Sequence, residues 1–191
     1  MTNLSCVRLQ HGFARFATDR RGVSAVEFAL LLPLMVTLYL GSVEISNGVG
    51  IDRKVTLVSR TVADLASQAS SIAGTDMTNI LDASASVMAP YDASPYSVTN
   101  LKVTVSQVKI DASAVAKIDW SCTLNGTKRV VGSSVTLPAA LNIANTYLVW
   151  GEVTYAYTPA IGYVVTGTLN LADQIYMRPR LSDNVVLTGT C

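Results

Sequence analysis

Glu27 is a lone carboxylate at the entrance of a long apolar stretch, five residues after Gly22 and directly before Phe28. A carboxylate without a positive partner is costly in an apolar environment, so chains keep one there only where it has a use. Glu27 is therefore the first candidate functional residue of this sequence. The type of chemistry it serves depends on the elements around it.

Ordinary catalytic and metal-binding patterns are missing beyond the apolar stretch. The single histidine, His11, lies in the first 22 residues, which excludes Ser-His and Cys-His catalysis and histidine metal sites from the rest of the chain. Asp82 to Ser86 matches the D-x-S-x-S pattern of von Willebrand A domains, but no buried strand precedes it. We expect no enzymatic activity, no metal and no cofactor.

Composition and charge distribution point to a membrane-anchored protein. Half of the 191 residues are hydrophobic, 14% are charged, and the mean hydropathy is +0.38. The formal net charge of +1 argues against nucleic acid as a partner. Residues 1–22 carry a net charge of +3, whereas the remaining residues carry −2. A basic head before an apolar stretch is typical of a cytoplasmic flank, because positive residues stay on that side.

The apolar stretch is long enough to cross a bilayer. Phe28 to Val43 contains no charge, and Val23 to Ser46 would form a helix of about 36 Å. Pro33 should kink this helix or weaken its first turns. A cleaved secretory signal is the competing interpretation, but only weak small-residue cleavage positions follow the stretch. We predict a transmembrane helix over residues 23–49.

A second helical pattern follows the predicted span. Apolar residues recur at spacings of four and three from Ile51 to Ile72, which predicts an amphipathic helix over residues 50–74, with a possible break near Asn47 to Gly50. Two interpretations stay open for its apolar face. It packs on the chain's own domain, or it forms a seam between copies or partners.

Residues 75–191 are predicted to form a strand-rich domain. Residues 75–97 are typical of a linker or a short helix, and strand patterns follow. Leu101, Val103 and Val105 alternate in one strand. Ile118, Trp120, Cys122 and Leu124 alternate in a second, and Asn125-Gly126 predicts a hairpin turn into Lys128 to Val131. The predicted fold class is α+β, with a long N-terminal helix packed on a small antiparallel sheet of about four strands.

The cysteines divide between the two predicted compartments. Cys6 lies in the basic head, while Cys122 and Cys191 lie beyond the apolar stretch. In an oxidising compartment the latter two can pair and close a loop of about 70 residues, worth about 3–4 kcal/mol. Two free thiols, or a bond from Cys191 to another chain, are the alternatives.

The segment RRGVSAVEFALLLPL resembles the processing region of TadE-like minor pilins (pseudopilins) of the tight-adherence, or Flp, pilus system. The resemblance implies that a prepilin peptidase cuts between Gly22 and Val23, leaving Glu27 as the fifth mature residue with Phe28 beside it. Arg20 and Arg21 match the basic leader, so residues 1–22 would be cytoplasmic. Glycine suits such a cut because it presents no side chain to the protease.

The resemblance also implies a function, a location and partners. The chain would be a structural or assembly component of a Tad pilus, anchored once in the bacterial inner membrane with its C-terminal domain periplasmic. Its partners would be the prepilin peptidase, other pilus subunits, the inner-membrane platform and membrane lipid. The competing hypothesis is a permanently anchored periplasmic module that binds or senses a ligand.

Overall fold

The computed structural model describes residues 22–91, 100–159 and 167–191, which form a mixed α+β structure. The helices are α1 (Val23–Ser67) and α2 (Gly74–Met88), with a 3-10 helix at Ala139–Leu141. The strands are β1 (Ser71–Ala73), β2 (Leu101–Ile110), β3 (Ala116–Leu124), β4 (Thr146–Tyr157), β5 (Leu169–Met177) and β6 (Val186–Thr188). A long N-terminal helix packed with an antiparallel sheet confirms the predicted fold class.

The main sheet has four antiparallel strands in the order β3-β2-β4-β5. On β2, Leu101, Val103 and Val105 point toward the helical layer and are fully buried, as their alternation predicted. A separate pair of short parallel strands, β1 and β6, was not predicted. It joins the chain just after α1 to the carboxyl-terminal segment.

The second half of α1 packs on this sheet through a stripe of small and branched side chains. Val55, Val58 and Val62 are buried in the same core as the inward residues of β2 and β4. Gly151 on β4 permits the close approach, because a Cβ there would lie 3.0 Å from the carbonyl oxygen of Ser59. The apolar stripe therefore serves the chain's own domain and is not an exposed seam.

Helix boundaries differ from those predicted. Helix α1 continues through Asn47 to Gly50 and ends at Ser67, before the expected end near Gly74. The chain then enters β1. Ile72, which was expected to belong to the helix, is buried but lies in this strand. Apolar spacing alone does not distinguish a helix from a strand at Ile72, because either conformation can place this residue in the core.

Helix α2 occupies the first part of the segment expected to be a linker or a short helix. It buries Met77, Leu81 and Met88 along one face. The Lys54 ammonium of α1 donates to the carbonyl oxygens of Val87 (3.0 Å) and Ala89 (2.7 Å) at the end of α2. A cation suits a helix carboxyl terminus, where carbonyl groups lack helical partners. This contact joins the two helices.

One expected alternation is wrong, since Ile118 does not share a face with Trp120. Gln107 pairs with Trp120 and Val108 pairs with Ile118, which leaves Asp119 as the extra residue of a β-bulge. The Gln107 side-chain amide donates to Asp119 at 2.6 Å. The bulge reverses the alternation, so Ile118 joins a second core cluster on the far side of the sheet.

That far side is covered by the segment after β3. Lys128 to Val131 were expected to form a returning strand, but they lie in irregular structure. Within this segment, Arg129 lies against the sheet. Its guanidinium lies 3.9 Å from the ring centre of Trp150 and makes two hydrogen bonds of 2.6 Å to Glu152. The bond to Glu152 raises the pKa of Arg129, so the guanidinium stays charged.

The carboxyl-terminal segment crosses the helix-facing side of β3. The indole nitrogen of Trp120 donates to the carbonyl of Val185 at 2.8 Å, and the Val185 amide donates to Gln107 at 2.7 Å. Cys191 then forms a disulfide with Cys122, and their Cα atoms lie 5.7 Å apart. The last residues of the chain are thus attached to β3, an edge strand of the sheet.

Candidate processing and membrane segment

Gly22 lies immediately before the first residue of α1. Its backbone is helical (φ −80°, ψ −14°), and a Cβ placed there would meet no atom within 4 Å. Val23 begins the helix and is about half exposed. The peptide bond between these two residues therefore lies at the end of a regular helix, and within residues 22–91, 100–159 and 167–191 no side chain lies against Gly22.

Glu27 and Phe28 lie in the second turn of α1, and both are exposed. Glu27 is four residues beyond Val23, so both lie on the same face of the helix, about 6 Å apart along its axis. Helical side chains lean toward the amino terminus. The Glu27 side chain is therefore expected to lean toward the turn that contains Val23.

The first part of α1 has no protein neighbour among the residues that the structure describes. Every residue from Gly22 to Tyr39 is exposed, including large apolar side chains such as Leu30, at 75%. Helix α1, which contains this part, is by length and composition long and apolar enough to cross a membrane. Exposure on all sides is expected for a helix whose solvent is lipid. It indicates single-pass membrane anchoring.

Pro33 lies inside this exposed part without ending the helix. Its ring removes one backbone hydrogen bond, because proline has no amide hydrogen. The Thr37 hydroxyl donates to the Pro33 carbonyl oxygen at 2.7 Å, one turn further along. The carbonyl that lacks its helical partner is that of Ala29, so the Thr37 bond does not replace the one that Pro33 removes.

Buried residues of α1 begin shortly after Tyr39, the last residue of the exposed part. Gly41 and Glu44 are the first buried residues of α1, and the helix is then covered by the sheet from Ile51 onward. Gly48, which lies between Glu44 and Ile51, faces the Tyr157 ring. A Cβ placed at Gly48 would lie 3.7 Å from the Cε1 atom of that ring. The folded domain therefore starts within about three turns of the exposed part.

Several residues of the predicted site lie outside the described ranges. Arg20 and Arg21 of the basic leader, together with Cys6 and His11, precede residue 22. Their predicted roles remain predictions. The same holds for the cut between Gly22 and Val23, because the structure describes the intact chain.

The surroundings of the D-x-S-x-S match differ from those of the von Willebrand A metal site. Asp82 to Ser86 lie in the interior of α2, and Ser84 bonds to a helical carbonyl, that of Leu81. The motif of von Willebrand A domains instead follows a strand of a doubly wound sheet. In residues 22–91, 100–159 and 167–191 no three His, Cys, Asp or Glu side chains are grouped as a metal site.

Comparison with protein families confirms the resemblance over the amino-terminal helix. The family described as TadE-like protein matches residues 22–64, from Gly22 through most of α1. No curated protein and no solved structure is significantly similar to the chain. The family match thus includes the exposed part of α1 and most of its packed part, but not the sheet.

Proposed function

We propose that this chain, TadE-like over residues 22–64, is a prepilin-like structural or assembly component of a Tad (Flp-type) pilus. In this proposal a prepilin peptidase cuts after Gly22, and the mature chain is held in the inner membrane before assembly. One observation carries the proposal. A single helix starts at the proposed cut, exposes an apolar surface of membrane length and then anchors a folded domain.

Electrostatics support a role for Glu27 after the cut. Cleavage would leave a positive amine on Val23, one helical turn from the Glu27 carboxylate. The amino end of a helix also carries a partial positive charge. Both effects lower the cost of a carboxylate near lipid. In an assembly, Glu27 could instead pair with the amine of a neighbouring subunit, which would set the register between subunits.

The proposed orientation follows from charge and from the disulfide. The basic residues before Gly22 would stay cytoplasmic under the positive-inside rule, and the sheet would then be periplasmic. The bond between Cys122 and Cys191 suits an oxidising compartment such as the periplasm. A peptidase, pilus subunits and the inner-membrane platform would be its partners, and membrane lipid would surround the exposed part of α1.

Mass spectrometry of the intact protein tests the cut. Protein purified from a host with its own active prepilin peptidase should begin at Val23, and a matched host lacking the peptidase should yield the uncut chain. Gly22→Val should block cleavage without disturbing the fold, because nothing lies within 4 Å of a Cβ at this position. An uncut chain in the presence of active peptidase would refute the processing step.

A charge-neutral substitution tests the role of Glu27 in assembly. Glu27→Gln keeps the shape of the side chain, so membrane insertion should persist while recovery of the protein in sheared pili is lost. Leu30→Ile, at an exposed position of the same helix, is a control that keeps the carboxylate. Unchanged pilus incorporation by Glu27→Gln would exclude the registration role. A protein that stays in membranes independently of all Tad components would favour the anchored binding or sensing module.

A further inference from the structure

An apolar groove lies where the exposed part of α1 meets the sheet. Its volume is about 290 Å³, and its apolar lining comes from Ile45, Gly48 and Val49 of α1 and from Tyr157, Leu169 and Leu171 of the sheet. Two carboxylates, Glu44 and Asp52, also border it. A groove with such a lining favours an apolar occupant, because polar groups would lose hydrogen bonds there.

The position of the groove follows from the direction of the strands. Strand β4 runs antiparallel to α1, since Gly151 lies against Ser59 while Tyr157 lies against Gly48. The end of β4 and the start of β5, which pairs Leu169 with Tyr157, therefore lie at the membrane-proximal end of the domain. The groove opens on the side of the domain nearest to the predicted span.

Helix geometry places this end in the lipid headgroup layer. A hydrocarbon core of about 30 Å takes about 20 residues of helix, and headgroups extend the bilayer to about 40–45 Å. Ile45 and Asp52 lie about 33 and 44 Å along the helix from Val23, or about 26 and 36 Å from Phe28, so the two counts bracket the outer edge of the hydrocarbon core. Tyr91 also meets α1 there, with its hydroxyl 3.2 Å from a Cβ placed at Gly50. Tyrosine is typical of this layer.

We propose that the groove receives an acyl chain of a membrane phospholipid, so that the folded domain rests on the bilayer surface beside α1. The apolar lining continues the exposed apolar surface of α1, because Ile45, Val49 and Leu169 all remain substantially exposed. The exposed Asp52 carboxylate at the border disfavours an anionic headgroup and favours a zwitterionic lipid. This contact fixes the tilt of the sheet relative to the membrane. It depends on membrane anchoring but not on cleavage or pilus assembly.

Fluorescence quenching in proteoliposomes tests the contact. The full chain is reconstituted in zwitterionic phosphatidylethanolamine and phosphatidylcholine vesicles, with or without brominated acyl chains, and carries Leu169→Trp. Tyr39→Trp reports the exposed part of α1, and Val130→Trp reports an exposed site in the segment that covers the far side of the sheet, next to Arg129. The native Trp120 and Trp150 are buried in every variant and give a common background.

The expected result is that brominated lipid removes the added emission of Leu169→Trp, as it does for Tyr39→Trp, but not that of Val130→Trp. Quenching of Leu169→Trp only by aqueous acrylamide would overturn the proposal. Protection from both quenchers would also overturn it and would indicate a protein occupant, either residues 160–166 or a second copy. If Tyr39→Trp also escapes brominated lipid, membrane anchoring itself fails, so the two failures are distinguishable.

Discussion

The two halves of α1 form one uninterrupted helix but have different surroundings. From Gly22 to Tyr39 every side chain is exposed, whereas from Ile51 onward one stripe is buried against the sheet. The composition changes at the same place. The first half is rich in leucine, with large side chains on all faces. The second half places valine, alanine and serine on its buried face, with charged residues opposite.

This difference reflects the solvent of each half. Lipid chains adapt to any side-chain shape, so a helix in the bilayer tolerates bulky residues without a complementary partner. A protein core is close-packed, so a helix on a sheet needs side chains that match the facing surface. Ser59 and Ala63 are small where Gly151 brings β4 against them. Side-chain shape therefore matters in the second half of α1, whereas the apolar side chains of the first half need only be hydrophobic.

The largest effect should come from placing a charge on the buried face of the second half. Val58→Asp puts a carboxylate at a position with 0% exposure, facing the sheet core. Burying an unpaired charge should reduce the free energy of unfolding by at least about 4 kcal/mol. Denaturant unfolding in detergent micelles, followed by the emission of the buried Trp120 and Trp150, measures this loss.

Leu57→Asp is the matched control, because Leu57 is adjacent in sequence but 51% exposed. It should change the free energy of unfolding by no more than about 0.5 kcal/mol, as is usual for surface positions. If both variants are equally destabilised, the second half of α1 has a partner on its outer face as well. That result would support the interpretation that this helix forms a contact between copies of the chain.

A charge in the first half should instead affect insertion. Val36 is exposed in the middle of the apolar part, so Val36→Lys removes no protein contact. A lysine at the centre of a span costs about 3 kcal/mol on the insertion scale. We expect a reduced fraction of protein that resists alkaline extraction from membranes, with unchanged unfolding of the domain in detergent. Val36→Leu should extract like the unsubstituted chain.

Sequence patterns predicted those features that depend on neighbouring residues. The apolar stretch, the alternation of Leu101, Val103 and Val105, and the buried stripe of α1 all follow from local periodicity. The Gly22 to Glu27 spacing identified the family segment, and the match to residues 22–64 confirms it. The predicted end of α1 was less accurate, because Ile72 continues the apolar spacing although it lies in strand β1.

Features that depend on distant pairings were not predictable in this way. The bulge at Asp119 depends on the register between β2 and β3, which one strand does not reveal. The pairing of β1 with β6 joins segments far apart in sequence. Tyr157 and Leu169 also look like ordinary strand residues. Only the direction of β4 relative to α1 brings them to the membrane-proximal groove.

A smaller effect tests the shape requirement of the second half. Gly151→Ala adds a methyl group that would lie 3.0 Å from the Ser59 carbonyl oxygen and 3.1 Å from the Ala63 Cβ. The helix must shift from the sheet, which should cost about 1–3 kcal/mol of unfolding free energy. Gly22→Ala, measured on uncut protein, is the control, since its methyl group meets nothing within 4 Å. Equal stability of the two variants would show that the helix–sheet contact is loose.

The smallest effect should come from the ion pair at the far end of α1. Arg180 pairs with Asp64, but their side chains are 58% and 33% exposed. Exposed ion pairs contribute at most about 1 kcal/mol and weaken with salt. Arg180→Gln should therefore lower the free energy of unfolding by less than about 1 kcal/mol at low salt.

The backbone explains why this substitution is tolerated. The Arg180 amide donates to the Ser67 carbonyl at 2.9 Å, a bond that glutamine retains at this position. This bond attaches the carboxyl-terminal segment to the last residue of α1 without the charge. Parallel unfolding curves in low and high salt, with Asp64→Asn and the double variant, isolate the pairwise energy. A salt-independent loss of several kcal/mol would mean that the side chain packs as part of the core, and that the buried surface of α1 extends beyond its valine stripe.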